Sequence, residues 1–385
     1  MDNSTEQPVK SESRILRYFH RPRQDRLGAV HLLFFALLVI SLILFLFFSL
    51  FPQFADAYNA TAGQFFRMIL NFLTIWIPFS VSEAVIWSIP LFLVFCTIRV
   101  MHHSFDTWRQ SFIYTGKILS FLALILSGLI LLFSPGFKGT LLSKKTDFDI
   151  ADISSEELIQ TATYLQSELN SLADSGKILY DESDFSHYEG NWQDLNRELQ
   201  KAYAAASEKY DFIHTFPSTL KPIASSPVLT YTHIAGAYTF FSGEVNINYM
   251  FPDYVRIYSS AHEMAHQRGF AREDEANFIA FLVCMESDHP YLRYSALLNC
   301  YEYVLSALSG SGDEILNAQW VTLSQSVKLE MVAYNDFFEK YDRNPAATAV
   351  NAVSQVVQSA AGAADHSYGM VVDLMVGYYR DINSK

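Results

Sequence analysis

Three long stretches without internal charge stand out in the first third of the chain, at residues 27–51, about 83–99 and about 118–133. A helix of about 20 apolar residues spans the roughly 30 Å hydrocarbon core of a bilayer. The pattern therefore predicts a three-helix transmembrane region over residues 27–135, preceded by a polar tail at residues 1–26. A cleaved signal peptide is the alternative for the first stretch, but the apolar regions of signal peptides run only about 7–15 residues, which favours an uncleaved anchor.

Basic side chains predict the orientation of these helices. They gather in the polar tail and again between the second and third spans, where Arg99, Arg109 and Lys117 lie. Because short segments rich in Lys and Arg stay in the cytoplasm, we expect both segments there. The large domain at residues 138–385 is then extracytoplasmic.

The segment between the first two spans, residues 52–81, is rich in aromatic residues and holds a single basic residue, Arg67. Three of its apolar residues, Phe65, Ile69 and Phe72, recur at the three- and four-residue spacing of one helix face. A helix of this length is too short to cross a bilayer, so the pattern predicts one that lies in the membrane interface.

From residue 138 onward, the apolar residues follow the spacing of amphipathic helices, so we expect a mainly α, α+β domain with a small sheet. Ser154 and Glu157 have the spacing of a capping box at a helix N-terminus. Outside the stretch discussed next, the predicted helices lie at about residues 154–173, 194–210, 291–308, 315–336 and 370–379.

Residues 236–250, GAYTFFSGEVNINYM, are the strand-like part of this domain. Ser242-Gly243 makes a turn, and beyond it Val245 and Ile247 alternate with polar residues. One interpretation is an ordinary half-buried hairpin, and the other is an edge strand that pairs with an extended peptide. In the second interpretation the substrate-pairing residues are Glu244, Asn246 and Asn248.

Charge is distributed unevenly along the chain. Residues 1–137 hold 10 of the 27 Lys and Arg and 7 of the 40 Asp and Glu, which leaves the remainder with a net charge of about −16. An acidic domain repels phosphate backbones, so we expect no nucleic acid partner. Three cysteines, Cys96, Cys284 and Cys300, are too few for a disulfide framework, and a disulfide between the last two is not favoured.

Residues 260–286 contain the motif with the clearest chemistry. His262 and His266 are four residues apart, so on a helix they lie on one face and can bind one Zn²⁺ together. Glu263 follows the first histidine, beside the coordination position that a water molecule would take. The spacing predicts His262 and His266 as metal ligands and Glu263 as the general base.

A second helix has to supply the third ligand. Gly269 permits a left-handed turn that ends the first helix, and the second helix begins about three residues later. On that helix Glu273 shares a face with small residues, which lets another helix approach, whereas Glu275 points to the opposite side. We expect Glu273 to be the ligand, with Glu275 as the alternative, and Asn277 to accept a hydrogen bond from the ring of His262.

This stretch resembles the zincin metallopeptidases of the glutamate-ligand kind (gluzincins), in which HExxH is followed on a second helix by a Glu with an Asp or Asn four residues later. The resemblance implies His262, His266 and Glu273 as zinc ligands, Glu263 as the base, and a substrate strand above the metal helix. The spacing to Glu273 is shorter than in the thermolysin-like group, and Arg272 stands where metzincins have a third histidine. HEMAHQRGFAREDEANF, GAYTFFSGEVNIN and SYGMVVDL are also similar to an uncharacterised family of bacterial membrane proteins, domain of unknown function 3810, over nearly the whole chain.

Hydrolysis of a carbonyl compound also needs a donor for the oxyanion that develops. The residues Asp365-His366-Ser367-Tyr368-Gly369 precede the last predicted helix. His366 or Tyr368 is the candidate donor, and a turn with a packed tyrosine is the alternative.

These features predict a membrane-anchored zinc metallopeptidase that hydrolyses peptide bonds on the extracytoplasmic side. One alternative is a non-catalytic sensor or scaffold with a vestigial or structural zinc, although structural sites are usually closed by four protein ligands. Another is a zinc amidase of the cell envelope, since the same metal, water and base would serve both reactions. The expected partners are a peptide or protein substrate and the lipid bilayer.

Overall fold

Within the described residues the chain is mainly α-helical and carries two small sheets, one of two strands and one of three. This confirms the predicted combination of many helices with little sheet. The computed structural model describes residues 26–102, 107–341, 345–361 and 369–384. Residues 1–25 of the predicted polar tail lie outside these ranges.

The described part of the chain before residue 139 forms six α-helices: α1 (Ala29–Leu50), α2 (Pro52–Tyr58), α3 (Gln64–Thr74), α4 (Val81–His102), α5 (Trp108–Leu132) and α6 (Ser134–Lys138). A short π-helix, Asn59–Gly63, joins α2 to α3. Helices α1, α4 and α5 are long and apolar enough to cross a membrane, with mean hydropathies of 3.0, 2.0 and 2.1. Helix α5 begins ten residues earlier than predicted, at Trp108 instead of Ile118. It therefore includes Arg109 and Lys117.

The described residues fall into two compact units. The smaller unit lies within residues 1–44 and 88–128 and contains most of the three long apolar helices. The larger unit lies within residues 45–87 and 129–385. Helices α2 and α3, from the segment between the first two predicted spans, therefore belong to the same unit as the C-terminal domain.

In the described part of the larger unit, ten helices follow residue 139: α7 (Ser155–Ala173), α8 (Trp192–Lys209), α9 (Ser226–Leu229), α10 (Asp253–Gln267), α11 (Glu273–Met285), α12 (Pro290–Leu308), α13 (Asp313–Thr322), α14 (Gln325–Glu339), α15 (Pro345–Ala361) and α16 (Gly369–Asn383). The predicted capping box is present, because the Ser154 side chain accepts from the Glu157 N–H and the Glu157 carboxylate accepts from the Ser154 N–H. The predicted helix at 315–336 is instead two helices, since Leu323 is extended and separates α13 from α14.

Helix α11 lies at the centre of the core. Every side chain from Asp274 to Cys284 is buried, and α8, α10, α12 and α16 pack around it. Burying each of its large apolar side chains contributes about 1.5–3 kcal/mol relative to leaving it exposed. Cys284 and Cys300 are both buried and unpaired, as expected. Because α10 and α11 carry the predicted metal ligands, the site is built on the most deeply packed elements of the unit.

The sheet next to these helices comprises three strands. A separate antiparallel pair consists of β1 (Leu179–Tyr180) and β2 (Ser186–His187). The three-stranded sheet contains β3 (Leu220–Pro222), β4 (Gly236–Thr239) and β5 (Glu244–Ile247). Strand β5 is parallel to β3 and antiparallel to β4.

The predicted edge strand at residues 244–248 is therefore wrong, because β5 is the central strand and both of its edges are paired. Its polar side chains, and that of Asn248 directly after it, are buried and already make hydrogen bonds within the protein. Asn246 donates to the Thr239 hydroxyl at 3.2 Å, and Asn248 donates to the Ile234 carbonyl at 3.0 Å. The edge strand beside the predicted metal site is β4.

Glu244, the third predicted pairing residue, forms a buried ion pair with Lys221 of β3. The Glu244 carboxylate also accepts hydrogen bonds from the N–H groups of Val81 and Ser82 at the start of α4. Lys221 in turn donates to the carbonyl of Thr74, the last residue of α3. This pair connects the centre of the sheet to the ends of two helices from the first third of the chain.

Candidate metal centre

Three side chains meet where α10 ends and α11 begins. One Glu273 oxygen, Oε2, lies 3.2 Å from His262 Nε2 and 3.4 Å from His266 Nε2. The two imidazole rings are nearly perpendicular, with centroids 4.5 Å apart. In the described parts of the chain, this is the one group of three such side chains whose ligand atoms all lie within 4.8 Å of one another. We call His262, His266 and Glu273 the metal centre.

The spacing of these atoms fits zinc. Zn–N and Zn–O bonds of about 2.0–2.1 Å in a tetrahedral arrangement separate the ligand atoms by about 3.3 Å. The observed separations of 3.2 and 3.4 Å match that value. Two imidazole nitrogens and one carboxylate are also a ligand set of catalytic zinc sites, which use three protein ligands.

The turn after α10 sets the orientation of one ligand. Helix α10 ends at Gln267, and Gly269 has a φ of +100°, a conformation that favours glycine. The turn brings the Phe270 carbonyl within 2.6 Å of His266 Nδ1. An Nδ1–H that donates to this carbonyl leaves the Nε2 lone pair facing Glu273, which is the tautomer that binds a metal.

Glu273 is held by a second contact that the sequence did not predict. Gln358 of α15 donates from Nε2 to the other carboxylate oxygen, Oε1, at 3.0 Å. Because the Glu273 side chain is 46% exposed, this hydrogen bond limits the orientations that the carboxylate can take. Gln358 follows Glu273 by 85 residues and belongs to no spacing pattern, so only the tertiary fold reveals it.

Glu275, the alternative third ligand, lies away from the histidines. Its Oε1 accepts hydrogen bonds from the Leu142 N–H at 2.7 Å and from Arg272 Nη1 at 3.1 Å. Arg272 also donates to the carbonyl of Gly139. Glu275 therefore fixes the segment after α6 to the start of α11, and the structure brings Glu273, not Glu275, to the metal centre.

The predicted hydrogen bond between Asn277 and His262 is absent, because the buried His262 Nδ1 has no hydrogen-bond partner among the described residues. The Asn277 carbonyl instead accepts from the Tyr258 hydroxyl at 2.7 Å. Tyr258 lies one turn before His262 on α10. Asn277, one turn after Glu273 on α11, therefore lies against the turn of α10 that precedes His262 and away from the metal centre.

Glu263 lies under the edge strand β4. Its Oε2 accepts a hydrogen bond from the Tyr238 N–H at 2.5 Å, and a Cβ on Gly236 would come within 2.8 Å of Glu263 Cγ. Glycine at 236 is thus what lets the strand lie this close. The Glu263 side chain is 7% exposed, and burial raises its carboxyl pKa, which the imidazoles of His262 and His266 partly offset.

The charges at the metal centre favour a cation. Burial lowers the pKa of His266, but the carboxylates of Glu273 and Glu263 outweigh that effect and raise it to about 9. Burial raises the pKa of Glu273, yet His266 and His262 hold it well below its ordinary value. Two carboxylates beside two imidazoles therefore stabilise an added positive charge, whether a proton or a metal ion.

The candidate oxyanion donors His366 and Tyr368 lie outside the described residues. Gly369 is the first described residue after them, and it begins α16, which packs against α11. The role of both residues stays a prediction.

One comparison with known proteins gives a match. The family model described as "Protein of unknown function (DUF3810)" matches residues 58–376, which include the whole metal centre. The chain belongs to this family. The similarity of three motifs to the DUF3810 family is thereby confirmed. No curated protein and no solved structure matches this DUF3810 chain.

We expect Glu273→Gln to lower zinc occupancy and Glu275→Gln to leave it unchanged. Loss of a ligand should reduce zinc affinity by more than the roughly 10–100-fold that follows loss of an outer-shell partner. Zinc per chain is measured by elemental mass spectrometry on protein purified in detergent, with circular dichroism to confirm that each variant is folded. The reverse pattern would make Glu275 the third ligand.

Proposed function

We propose that this DUF3810 protein is a membrane-anchored zinc metallopeptidase. The observation that carries the proposal is the convergence of His262, His266 and Glu273 beside the buried carboxylate of Glu263, the residue directly after His262 on α10. A structural zinc is usually enclosed by four protein ligands, and the described residues bring three together here. Three ligands with a neighbouring carboxylate support hydrolysis over a structural role.

In the proposed reaction, water adds across a peptide C–N bond and yields a carboxylate and an amine. When bound, zinc would supply a Lewis acid and bring the pKa of a water ligand towards about 7. Glu263 accepts a proton from the attacking water and returns it to the leaving amine. The hydrogen bond from the Tyr238 N–H holds the Glu263 carboxylate against β4, so the acid–base group has a fixed position.

The free edge of β4 is the proposed substrate site. Among the residues that the structure describes, β4 pairs with β5 on one side only, and its Tyr238 N–H reaches the proposed base. An extended peptide that adds to such an edge gains main-chain hydrogen bonds along its length. Adding to β4 would therefore align a peptide beside the metal centre without demanding a particular sequence.

The proposed location of the domain is extracytoplasmic. Three helices are apolar enough to cross a membrane, and the end of α4 and the first ten residues of α5 carry Arg99, Arg109 and Lys117. Basic segments next to spans stay in the cytoplasm. With three spans, the domain after α5 would then face the opposite side.

The test is hydrolysis by full-length protein purified in detergent, with a mixed-sequence peptide pool and peptidoglycan fragments offered separately. We expect cleavage of peptides that a zinc chelator abolishes and that added Zn²⁺ restores. Cleavage that persists in the chelated protein would contradict a zinc-dependent reaction. Cleavage confined to peptidoglycan amides would replace the peptidase with a cell-envelope amidase.

A further inference from the structure

Helix α3 has the reverse of the usual arrangement of a surface helix. Its polar residues Arg67, Asn71 and Thr74 are buried against the domain. Its outward residues are large, apolar and 39–63% exposed: Phe65, Phe66, Met68, Ile69, Phe72 and Leu73. A surface helix in water normally exposes its polar face and buries its apolar one.

The bilayer interface is the environment that suits this outward face. Helix α3 has 11 residues, which is too short to cross a membrane. Along the chain it lies between two helices that are long enough. Thirteen residues separate it from Leu50, the end of α1, and six separate it from Val81, the start of α4. The exposed Trp76 and Phe79 follow it, and aromatic residues are enriched at membrane surfaces.

The polar face of α3 is bound to the turn that shapes the metal centre. The buried Arg67 donates to the side-chain oxygen of Asn59 at 2.8 Å and to its carbonyl at 2.9 Å. Asn59 donates to the Gly269 carbonyl at 3.0 Å. Gly269 belongs to the turn between α10 and α11, so the helices that carry the ligands are held close to α3.

The edge strand β4 also leads to α3. The turn after β4 contacts this helix, because Thr74 donates to the Ser242 carbonyl at 3.1 Å and a Cβ on Gly243 would come within 2.6 Å of Asn71 N. Tyr238, which donates to the proposed base, precedes Ser242 by four residues. Four residues of extended strand span roughly 13 Å, and the true separation is shorter because residues 240–243 turn towards β5.

Aromatic residues lie beside the metal centre and directly after β4. The Phe133 ring, directly after α5, lies 6.1 Å from the His266 ring and 6.4 Å from the Tyr238 ring. Phe240 and Phe241 follow β4, and Phe241 is exposed. Such a surface suits a peptide that is leaving an apolar phase.

We propose that the substrate is a polypeptide anchored in the same bilayer and cut within a few residues of the membrane surface. This inference rests on the proposed hydrolase function and adds the class of substrate to it. A chain extended along β4 from the base reaches α3, and with it the lipid interface, after about four to five residues. Soluble peptides lack the anchor that would hold them at this site.

The test uses full-length protein reconstituted with zinc in phosphatidylethanolamine–phosphatidylglycerol vesicles. One probe is a pool of randomised 12-residue segments fused to a single transmembrane helix, and a second is the same pool without the helix. A third carries a 20-residue Gly/Ser spacer between the helix and the randomised segment. Mass spectrometry reports the amount of cleavage and the position of each cut, and Glu263→Gln protein measures cleavage by contaminants.

We expect the anchored pool to be cleaved roughly 100-fold faster than the soluble pool at equal low concentration, because anchoring raises the effective concentration. Cuts should lie within about eight residues of the bilayer, and the spacer should abolish cleavage of the randomised segment or move the cuts into the spacer. Equal cleavage of the soluble pool, or cuts that follow the randomised segment away from the membrane, would overturn the substrate class and leave the peptidase intact. No cleavage of any pool beyond the Glu263→Gln level would overturn the proposed function and this inference with it.

Discussion

We expect Glu263→Gln to lower the rate of peptide hydrolysis by about 10²–10⁴-fold, the contribution typical of a positioned general base. The amide has nearly the same size as the carboxylate and can still accept from the Tyr238 N–H, so the fold should be preserved. It cannot accept a proton from water. The measurement is the initial rate on the peptide pool, with zinc content determined on the same samples.

The matched control is Glu208→Gln, which makes the same chemical change at an exposed position on α8. It should retain the wild-type rate and zinc content. Undiminished hydrolysis by the Glu263→Gln protein would remove Glu263 from the reaction. A loss of zinc together with activity would instead show that Glu263 supports the metal centre.

The second large effect concerns the buried pair of Lys221 and Glu244, whose side chains are 3% and 1% exposed. We expect Lys221→Met to destabilise the larger unit by roughly 3–5 kcal/mol, because it leaves the Glu244 carboxylate buried without its counter-ion. For a domain of this size that corresponds to a fall in melting temperature on the order of 10 °C. Thermal unfolding in detergent, followed by circular dichroism, measures it.

The double variant Lys221→Met with Glu244→Gln separates charge from packing. The single amide oxygen can still accept from the Ser82 N–H and hydroxyl, and no charge is left unpaired. We therefore expect the double variant to recover most of the lost melting temperature. If the double variant is as unstable as Lys221→Met alone, the unpaired Glu244 carboxylate is not the cause of the instability. The ion pair itself would then stabilise the sheet.

The parts of the site that follow from local spacing could be predicted from the sequence. Histidines four residues apart on a helix must share a face, and a glycine after them must end that helix, so the positions of His262, His266 and Gly269 needed no tertiary information. The choice of Glu273 over Glu275 also followed from helix geometry. In each case the residues that decide the outcome lie within about a dozen positions of one another.

Contacts between distant segments could not be predicted in this way. Alternation in residues 244–248 showed which side chains share a face, but the strand's place in the sheet depends on β3, more than 20 residues upstream. The same limit hid Gln358 behind Glu273. The hydrogen bond between Asn277 and His262 was predicted from helix periodicity alone. Periodicity does not show which turn of one helix lies opposite which turn of the other.

Helix α3 shows both outcomes in one element. The spacing of Phe65, Ile69 and Phe72 predicted a helix at this place, and α3 is that helix, with all three side chains exposed. The isolated Arg67 gave no sign of its partner. Its burial against Asn59, and through it the link to Gly269, depends on a segment more than 200 residues away in the chain.

The measurement that tests the central proposal most directly is the zinc content of full-length protein purified in detergent, compared with His262→Ala. We expect one zinc per chain in the wild type and a nearly complete loss in the variant, because His262 is one of the three protein ligands that meet within the described residues. Elemental mass spectrometry, after metal-free handling and add-back of Zn²⁺, gives the stoichiometry. No zinc in the wild type, or equal zinc in both proteins, would contradict a metal centre at His262, His266 and Glu273.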